Sequence, residues 1–420
     1  MPAFLVNFAS ATYSGVTMNL HIFNPESDLA LAYGLEGYTA PPHVARLRRD
    51  MQMLPAWYCA KGDAILSQDC PADSEWLAQV RSRLGVEAVC MPANQLQNHR
   101  LSVIPWGWSR DLLHRLKGWN VAEECLPDRR QIDQIRRLSH RSTAVRLLRH
   151  ISREVDMELP PEPFEARSLD EVLDFERAHR RCYVKAPWSG SGRGVYQALD
   201  TGSPNFLDWT RGIIKRQGSV MCEHALDKVM DFAMEFRCRG GAAVEFAGHS
   251  VFTTDSHDSF ESGVVAPDEA LRSMIAGRLG DGAPLDRVKE AVAGFVAAEI
   301  APHYRGYLGV DMMLYRGAGG VRLNPCVEIN LRMTMGAVAA IFARRHLAEG
   351  SAGALTVRYH KQGIPAQART EAGQELEIAG GRIVSGALPL VPSYPGSRYT
   401  AQIRVAAGSA ADLWRRLISG

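Results

Sequence analysis

Two hydrophobic periods alternate along the N-terminal part of this chain, and their order sets the expected architecture. Leu20–Phe23 is a short apolar run suited to a buried strand, and Asn24-Pro25-Glu26-Ser27-Asp28 is a turn rich in capping residues ahead of the helical Leu29–Ala32. Val44–Leu54 has helical spacing with Arg46, Arg48, Arg49 and Asp50 outward. Ala64–Leu66 and Val86–Met91 read as strands flanking a helix over 74–84, and Pro105–Ser109 is a turn before the helix Arg110–Gly118. Strands alternating with helices over 19–130 predict an α/β unit with a mostly parallel sheet.

Beyond it the pattern changes. Ile132–Ile151 is expected as one helix with Ile132, Ile135, Leu138, Val145, Leu147 and Leu148 on its apolar face, ended by the proline run Leu159–Pro163. Ser168 and Glu171 form a capping box for the helix Leu169–Ala178. Strands are expected at Tyr183–Val184, Val195–Tyr196, Val220–His224, Phe232–Arg237 and Ala243–Ala247. A polar loop over 254–268, a helix over Pro284–Ile300, strands over Tyr307–Tyr315 and Cys326–Leu331, and a helix over 337–348 follow. The end of the chain reads as short strands among many Gly and Pro. Residues 1–17 lack the basic start of a signal peptide and read as an upstream extension.

Composition narrows the partners. The 48 basic and 46 acidic residues leave a net charge of +2, which argues against nucleic acid, and no apolar run reaches the ~20 residues of a membrane span. A basic cluster, Arg129, Arg130, Arg136, Arg137, Arg141, Arg146 and Arg149, is expected to coat helices. Eight scattered cysteines without a C-x-x-C pair suggest reduced, mostly buried thiols and a cytoplasmic protein.

Three segments carry candidate chemistry. Lys185 ends a strand and is followed by the small-residue loop Ser189, Gly190, Ser191, Gly192, Arg193 and Gly194, whose backbone N–H groups can curl round a polyphosphate. Alone, the segment equally fits an unliganded hairpin turn. Downstream, period two puts Glu328, Asn330 and Arg332 on one face and Val327, Ile329 and Leu331 on the other, while Asp311 faces away from Val310 and Met312. A glycine-rich connection, Arg316–Gly320, can set these strands side by side. Two carboxylates and an amide oxygen make a hard oxygen set suited to Mg²⁺. Between the two features, the backbone of Glu223, His224 and Ala225 can meet the edge of a planar base, and Asp231 can take ribose hydroxyls. A plain strand connection fits that segment as well.

Together these residues resemble the ATP-grasp superfamily over 131–346, with 19–130 similar to the α/β domain that precedes it. The resemblance implies an N-terminal parallel α/β domain (19–130), a two-subdomain ATP-grasp fold (131–220 with the glycine loop, 221–346 with the metal site) and a C-terminal extension (347–420). It implies ATP and Mg²⁺ as cofactors, with Lys185 on the phosphates, Ser189–Gly194 closing over them, Glu223–Ala225 reading adenine, Asp231 on ribose, and Asp311, Glu328 and Asn330 on the metal. Arg332 falls where such enzymes steady phosphate or acyl-phosphate. Arg141 stands where a second lysine is usual, keeping the charge but presenting a planar fork.

The implied activity is an ADP-forming carboxylate–amine ligase, with a kinase or a non-catalytic nucleotide-binding module as alternatives. The implied partners are small carboxylate and amine substrates, such as amino acids or a peptide, without nucleic acid or membrane, in a chain able to form a homodimer. For the substrate end the candidates are Arg237 as a carboxylate-facing catalytic residue, Arg239, the loop residues His257, Asp258 and Glu261, and Asn24 and Glu26 at the first strand's end. Asp28 is expected as a helix cap, and Trp106 and Trp108 as packing residues.

Overall fold

A computed structural model of the chain describes residues 17–179, 181–189, 194–198, 203–255, 260–365 and 376–419. Residues 1–16, Gly190, Ser191, Gly192, Arg193, His257 and Asp258 lie outside them. Among the described residues the chain forms three sheets of four, four and nine strands.

The first sheet is parallel, ordered β3-β2-β1-β4, from β1 (Met18–Ile22), β2 (Ala64–Leu66), β3 (Val89–Met91) and β4 (Leu101–Pro105). Its apolar residues Leu20, Ile22 and Ala64 are buried, as the short hydrophobic runs require. The helix Ser27–Tyr33 leaves the end of β1 and stops at Gly34, whose φ of 73° suits a residue without Cβ. Asn24 Nδ2 donates to Gly107 O at 2.7 Å, tying the turns that follow β1 and β4.

The second sheet is antiparallel, ordered β5-β8-β6-β7, from β5 (Phe164–Ala166), β6 (Cys182–Lys185), β7 (Val195–Ala198) and β8 (Val220–His224). Cys222, Val184 and Ala166 pack with Val172 and Phe206 of the flanking helices Leu169–His179 and Pro204–Gln217. Alternation therefore turns Tyr183, Lys185 and Glu223 to the other face.

The third sheet is also antiparallel: β9 (Asp227–Gly240), β10 (Ala243–Thr254), β11 (Phe260–Val265), β12 (Gly306–Gly317), β13 (Gly320–Asn330), β14 (Ser351–Tyr359), β15 (Glu377–Ala379), β16 (Arg382–Pro389) and β17 (Tyr399–Ala407). Their order is β13-β12-β9-β10-β11-β14-β17-β16-β15. Phe232, Met234, Phe236, Val310, Met312 and Ile329 bury one face against the helices Ser142–Glu154 and Ala283–Phe295. On the other face, Phe23 and Trp57 of the N-terminal unit join Ala337, Phe342, Ile383 and Ile403 in one core, so the strands past residue 350 are built into the fold. Among the described residues no helix is long and apolar enough to cross a membrane. Cys59, Cys182, Cys222, Cys238 and Cys326 are buried.

Several elements differ from expectation. The expected Ile132–Ile151 helix is two helices, Arg129–Leu138 and Ser142–Glu154. Ser139 Oγ donates back to Ile135 O at 2.8 Å, and the Arg141 N–H leaves the ladder for Pro187 O at 3.2 Å. The expected 254–268 loop contains a strand, because Phe260–Val265 pairs with both β10 and β14, and Glu261 lies in it. The helix expected at Val44–Leu54 runs Pro42–Asp50 and gives way to a 3₁₀ turn at Leu54–Trp57. Glu171 accepts from the N–H of Arg167, not of Ser168, so half of the capping box is displaced by one residue.

Candidate functional site

The second sheet and the β9-β12-β13 edge of the third face one another across a cleft of about 210 Å³. Arg141, Lys185, Glu223, His224, Asp231, Asp311 and Glu328, all singled out from sequence, line it. They come from five separate strands and a helix break, so only the tertiary fold brings them together.

The cations are held by carboxylates. Lys185 Nζ donates to Glu223 Oε2 at 2.5 Å, from the end of β6 to the end of β8. Arg141 occupies the break before the helix Ser142–Glu154. Its Nε donates to Ala186 O at 3.1 Å, and its Nη2 lies 3.1 Å from both Ser189 Oγ and Glu328 Oε2. One guanidinium thus touches the start of the glycine segment and the acidic strand opposite. Gly194 closes that segment: its carbonyl accepts from Ala186 N at 2.7 Å, its φ is +81°, and a Cβ there would come within 2.8 Å of Ser189 Cβ.

The acidic face is set by register. Asp311 and Glu328 are directly opposed on β12 and β13, whose two-residue turn at Ala318-Gly319 makes the hairpin that the glycine-rich connection predicts. Burial first, then Glu328 and Glu235, push the Asp311 carboxyl up to about 8. Asn330 Nδ2 donates to Asp311 Oδ2 at 2.9 Å, and Asn330 Oδ1 accepts from Arg332 Nη2 at 2.8 Å, which turns the amide oxygen to Arg332. Among the described residues no three His, Cys, Asp or Glu side chains converge as a metal centre. Two opposed carboxylates that resist ionising together still suit a divalent cation, and an incomplete cage suits one that keeps water and shares phosphate oxygens.

At the far end, Asp231 lies on β9 facing Met313 and accepts from Lys228 Nζ at 2.6 Å. The Ala225 N–H donates to Arg181 O at 3.0 Å, and the His224 ring packs against those of Phe175 and His179. Pro160 and Pro161, expected only as a chain break, form part of the wall with Leu226 and Phe252.

Other expected positions fall elsewhere. Arg237 shares the face of Asp231, but it opposes Tyr307, four positions along β12 from Asp311 and so about 13 Å away; it stacks on the Tyr307 ring, outside the cleft lining. Arg239 pairs with Glu245 at 2.8 Å. Arg332 has left β13 and is half-buried in the following turn, where Asp28 Oδ2 accepts from its Nε at 2.7 Å. Asp28, expected as a cap, makes no cap; it lies in the first helical turn, free to pair with Arg332. Glu26 is buried between Arg48 at 2.5 Å and Arg115 at 3.0 Å. Trp106 packs in the core beside Phe23.

No family model and no curated protein matches the sequence. Solved structures do match. The biotin carboxylase domain of the Hydrogenobacter thermophilus 2-oxoglutarate carboxylase, in complex with MgADP, ADP and bicarbonate, has a TM-score of 0.52 at 10% identity over 96% of this chain and 89% of that one. Biotin carboxylase from Campylobacter jejuni gives 0.49 at 10% over 95% and 90%, and N5-carboxyaminoimidazole synthetase from Staphylococcus aureus gives 0.48 at 11% over 96% and 97%. The fold is ATP-grasp. In this ATP-grasp arrangement the nine-stranded sheet that forms one wall of the cleft with its β9-β12-β13 edge also carries the C-terminal strands β14–β17.

One acidic residue near the cleft carried no motif in the sequence. Glu235 is 1% exposed, two positions from Ala233, which opposes Asp311. Its Oε1 accepts from Ser250 Oγ at 2.9 Å and its Oε2 from Thr334 Oγ1 at 2.8 Å. Burial pushes its carboxyl up to about 7 against the pull of those hydroxyls. The alternation Asp231, Ala233, Glu235 was the available signal, hidden because a lone Glu in an apolar strand carries no motif.

Proposed function

We propose that this chain is an ATP-dependent ligase that joins a small carboxylate to an amine through an acyl-phosphate. The observation that carries the reading is Arg141, whose guanidinium meets both Ser189 of the glycine segment and Glu328 of the acidic pair. Cations suited to phosphate and oxygen donors suited to Mg²⁺ therefore border one cleft.

In this reading ATP lies along the cleft with its base toward Glu223, His224 and Ala225 and its ribose at Asp231. Lys185 and Arg141 exchange their carboxylate partners for phosphate oxygens, a charge-assisted contact of similar kind. Asp311 and Glu328, with Asn330, would hold Mg²⁺, which supplies charge neutralisation on the phosphates. The substrate carboxylate oxygen attacks the γ-phosphorus and ADP leaves. The amine then attacks the acyl carbon, loses a proton and expels phosphate. Arg332 steadies the acyl-phosphate oxygens, and the segment Ser189–Gly194, including Gly190, Ser191 and Gly192, keeps water out. The biotin carboxylase domain with the matching fold was crystallised with MgADP, which supports this cofactor choice.

The test is incubation with ATP, Mg²⁺ and pools of carboxylic acids and amines, followed by mass spectrometry. ADP and free phosphate released only when both substrates are present, with a product of their summed mass less water, supports the ligase. Phosphate retained on a substrate hydroxyl makes it a kinase, and absence of nucleotide turnover leaves a binding module.

A further inference from the structure

We infer that Glu235 is a positioning residue that clamps the turn carrying Arg332; the functional part of this inference rests on the ligase reading above. The clamp has two hydroxyl arms. Ser250 of β10 holds one carboxylate oxygen, and Thr334 holds the other. Thr334 is also the cap of the helix Met335–His346, because its Oγ1 accepts from the Ala337 N–H at 2.9 Å. Glu235 therefore joins the strand beside Asp311 to the start of that helix. Between the two anchors lies the short turn with Arg332, which is further tied by Met333 N donating to Trp106 O at 2.8 Å.

Two glycines leave the space this carboxylate needs. A Cβ at Gly309 would lie 2.8 Å from Glu235 Oε2 and 3.0 Å from Thr334 Cγ2. A Cβ at Gly336 would overlap Glu235 Oε1 and Ser250 Oγ. Neither glycine has a positive φ, so what each supplies is room. A carboxylate is the fitting group because it accepts from both hydroxyls, leaving Thr334 Oγ1 to accept from the helix, and because negative charge is favourable at a helix start. Glutamine keeps the shape and one acceptor, so it should retain part of the clamp.

The experiment uses the full chain without nucleotide and measures the rate at which phenylglyoxal modifies Arg332, with Arg237 of β9 as control. Glu235→Ala should raise the Arg332 rate about tenfold, and Glu235→Gln less than about threefold, since a buried hydrogen-bonded carboxylate holds its neighbours at this scale. Gly336→Ala should behave like Glu235→Ala, because its Cβ displaces both the carboxylate and the Ser250 hydroxyl arm. Thr334→Val, which removes only the hydroxyl, gives the same rise and carries the test where Glu235→Ala does not fold. An unchanged Arg332 rate in these variants, or a Gly336→Ala protein like wild type, overturns the clamp. Turnover adds a second readout: Glu235→Ala should lower kcat while leaving the KM for MgATP within about twofold. A wild-type protein without ATP turnover removes the ligase reading but leaves the labelling result to decide the clamp.

Discussion

Arg332 Nε donates to Asp28 Oδ2 at 2.7 Å across 304 residues of sequence. Burial works against the charge of Arg332, but Asp28, Glu328 and Asp311 outweigh it and hold the guanidinium above its ordinary pKa. The turn after β1 is thereby part of the acidic cluster, and Gly107 makes the approach possible: a Cβ there would meet Ser27 Oγ at 2.6 Å and Arg332 Cβ at 3.2 Å. Removing Asp28 leaves a nearly buried cation with one partner fewer. Asp28→Asn should lower stability by about 2 kcal/mol, and a cycle with Arg332→Gln should give at least about 1 kcal/mol of coupling by urea unfolding. Additive effects would show that the pair is incidental.

Lys185→Met should weaken MgATP binding about tenfold or more by calorimetry, since a charge-assisted contact to phosphate is lost. Circular dichroism should stay native, because the substituted stem still packs at a strand end, where Val184 and Ala186 make the core. Unchanged affinity would remove Lys185 from the nucleotide site.

Glu328→Ala should reduce Mg²⁺-dependent ATP turnover at least about 100-fold, and titrating metal should not restore it at ordinary concentrations. The same change strips Arg141 of a carboxylate, so Arg141→Met should cost less stability in the Glu328→Ala background than in wild type. Survival of full turnover in Glu328→Ala would refute the metal assignment.

His346 gives a pH dependence away from the cleft. Its ring packs between Trp57 and Phe342, and burial first, then Arg345 and Arg382, lower its pKa to about 4. The unfolded chain takes up a proton near pH 6.5 that the folded chain refuses. Stability should therefore fall as pH drops from about 6.5 to about 4, by roughly 3 kcal/mol in total, and this histidine adds no loss below that. Melting temperatures of His346→Gln against pH should lack this share of the slope; parallel curves would show that other groups account for the acid sensitivity.

Much of the site was legible because its signals are local. A strand-end lysine, a small-residue loop and the E-x-N-x-R alternation each declare themselves within a few residues, and period two correctly placed Asp311 and Glu328 on one face. Arg237 misled because periodicity gives the face of a strand but not the distance along it. Arg332 lies beyond the strand face that period two gave it, because β13 ends at Asn330, which nothing in its own neighbours shows.

By itself the sequence determined the alternating strands and helices of the N-terminal unit, the core faces of β9, β12 and β13, and which residue types could hold phosphate and a hard cation, since these follow from backbone periodicity and side-chain chemistry. Tertiary structure alone decided the partners: Arg141 with Glu328, Asp28 with Arg332, and Glu235 between Ser250 and Thr334. The physical reason is that a hydrogen bond or ion pair depends on a few ångströms of separation, and separation between distant segments is fixed by how sheets and helices pack, which no local pattern encodes.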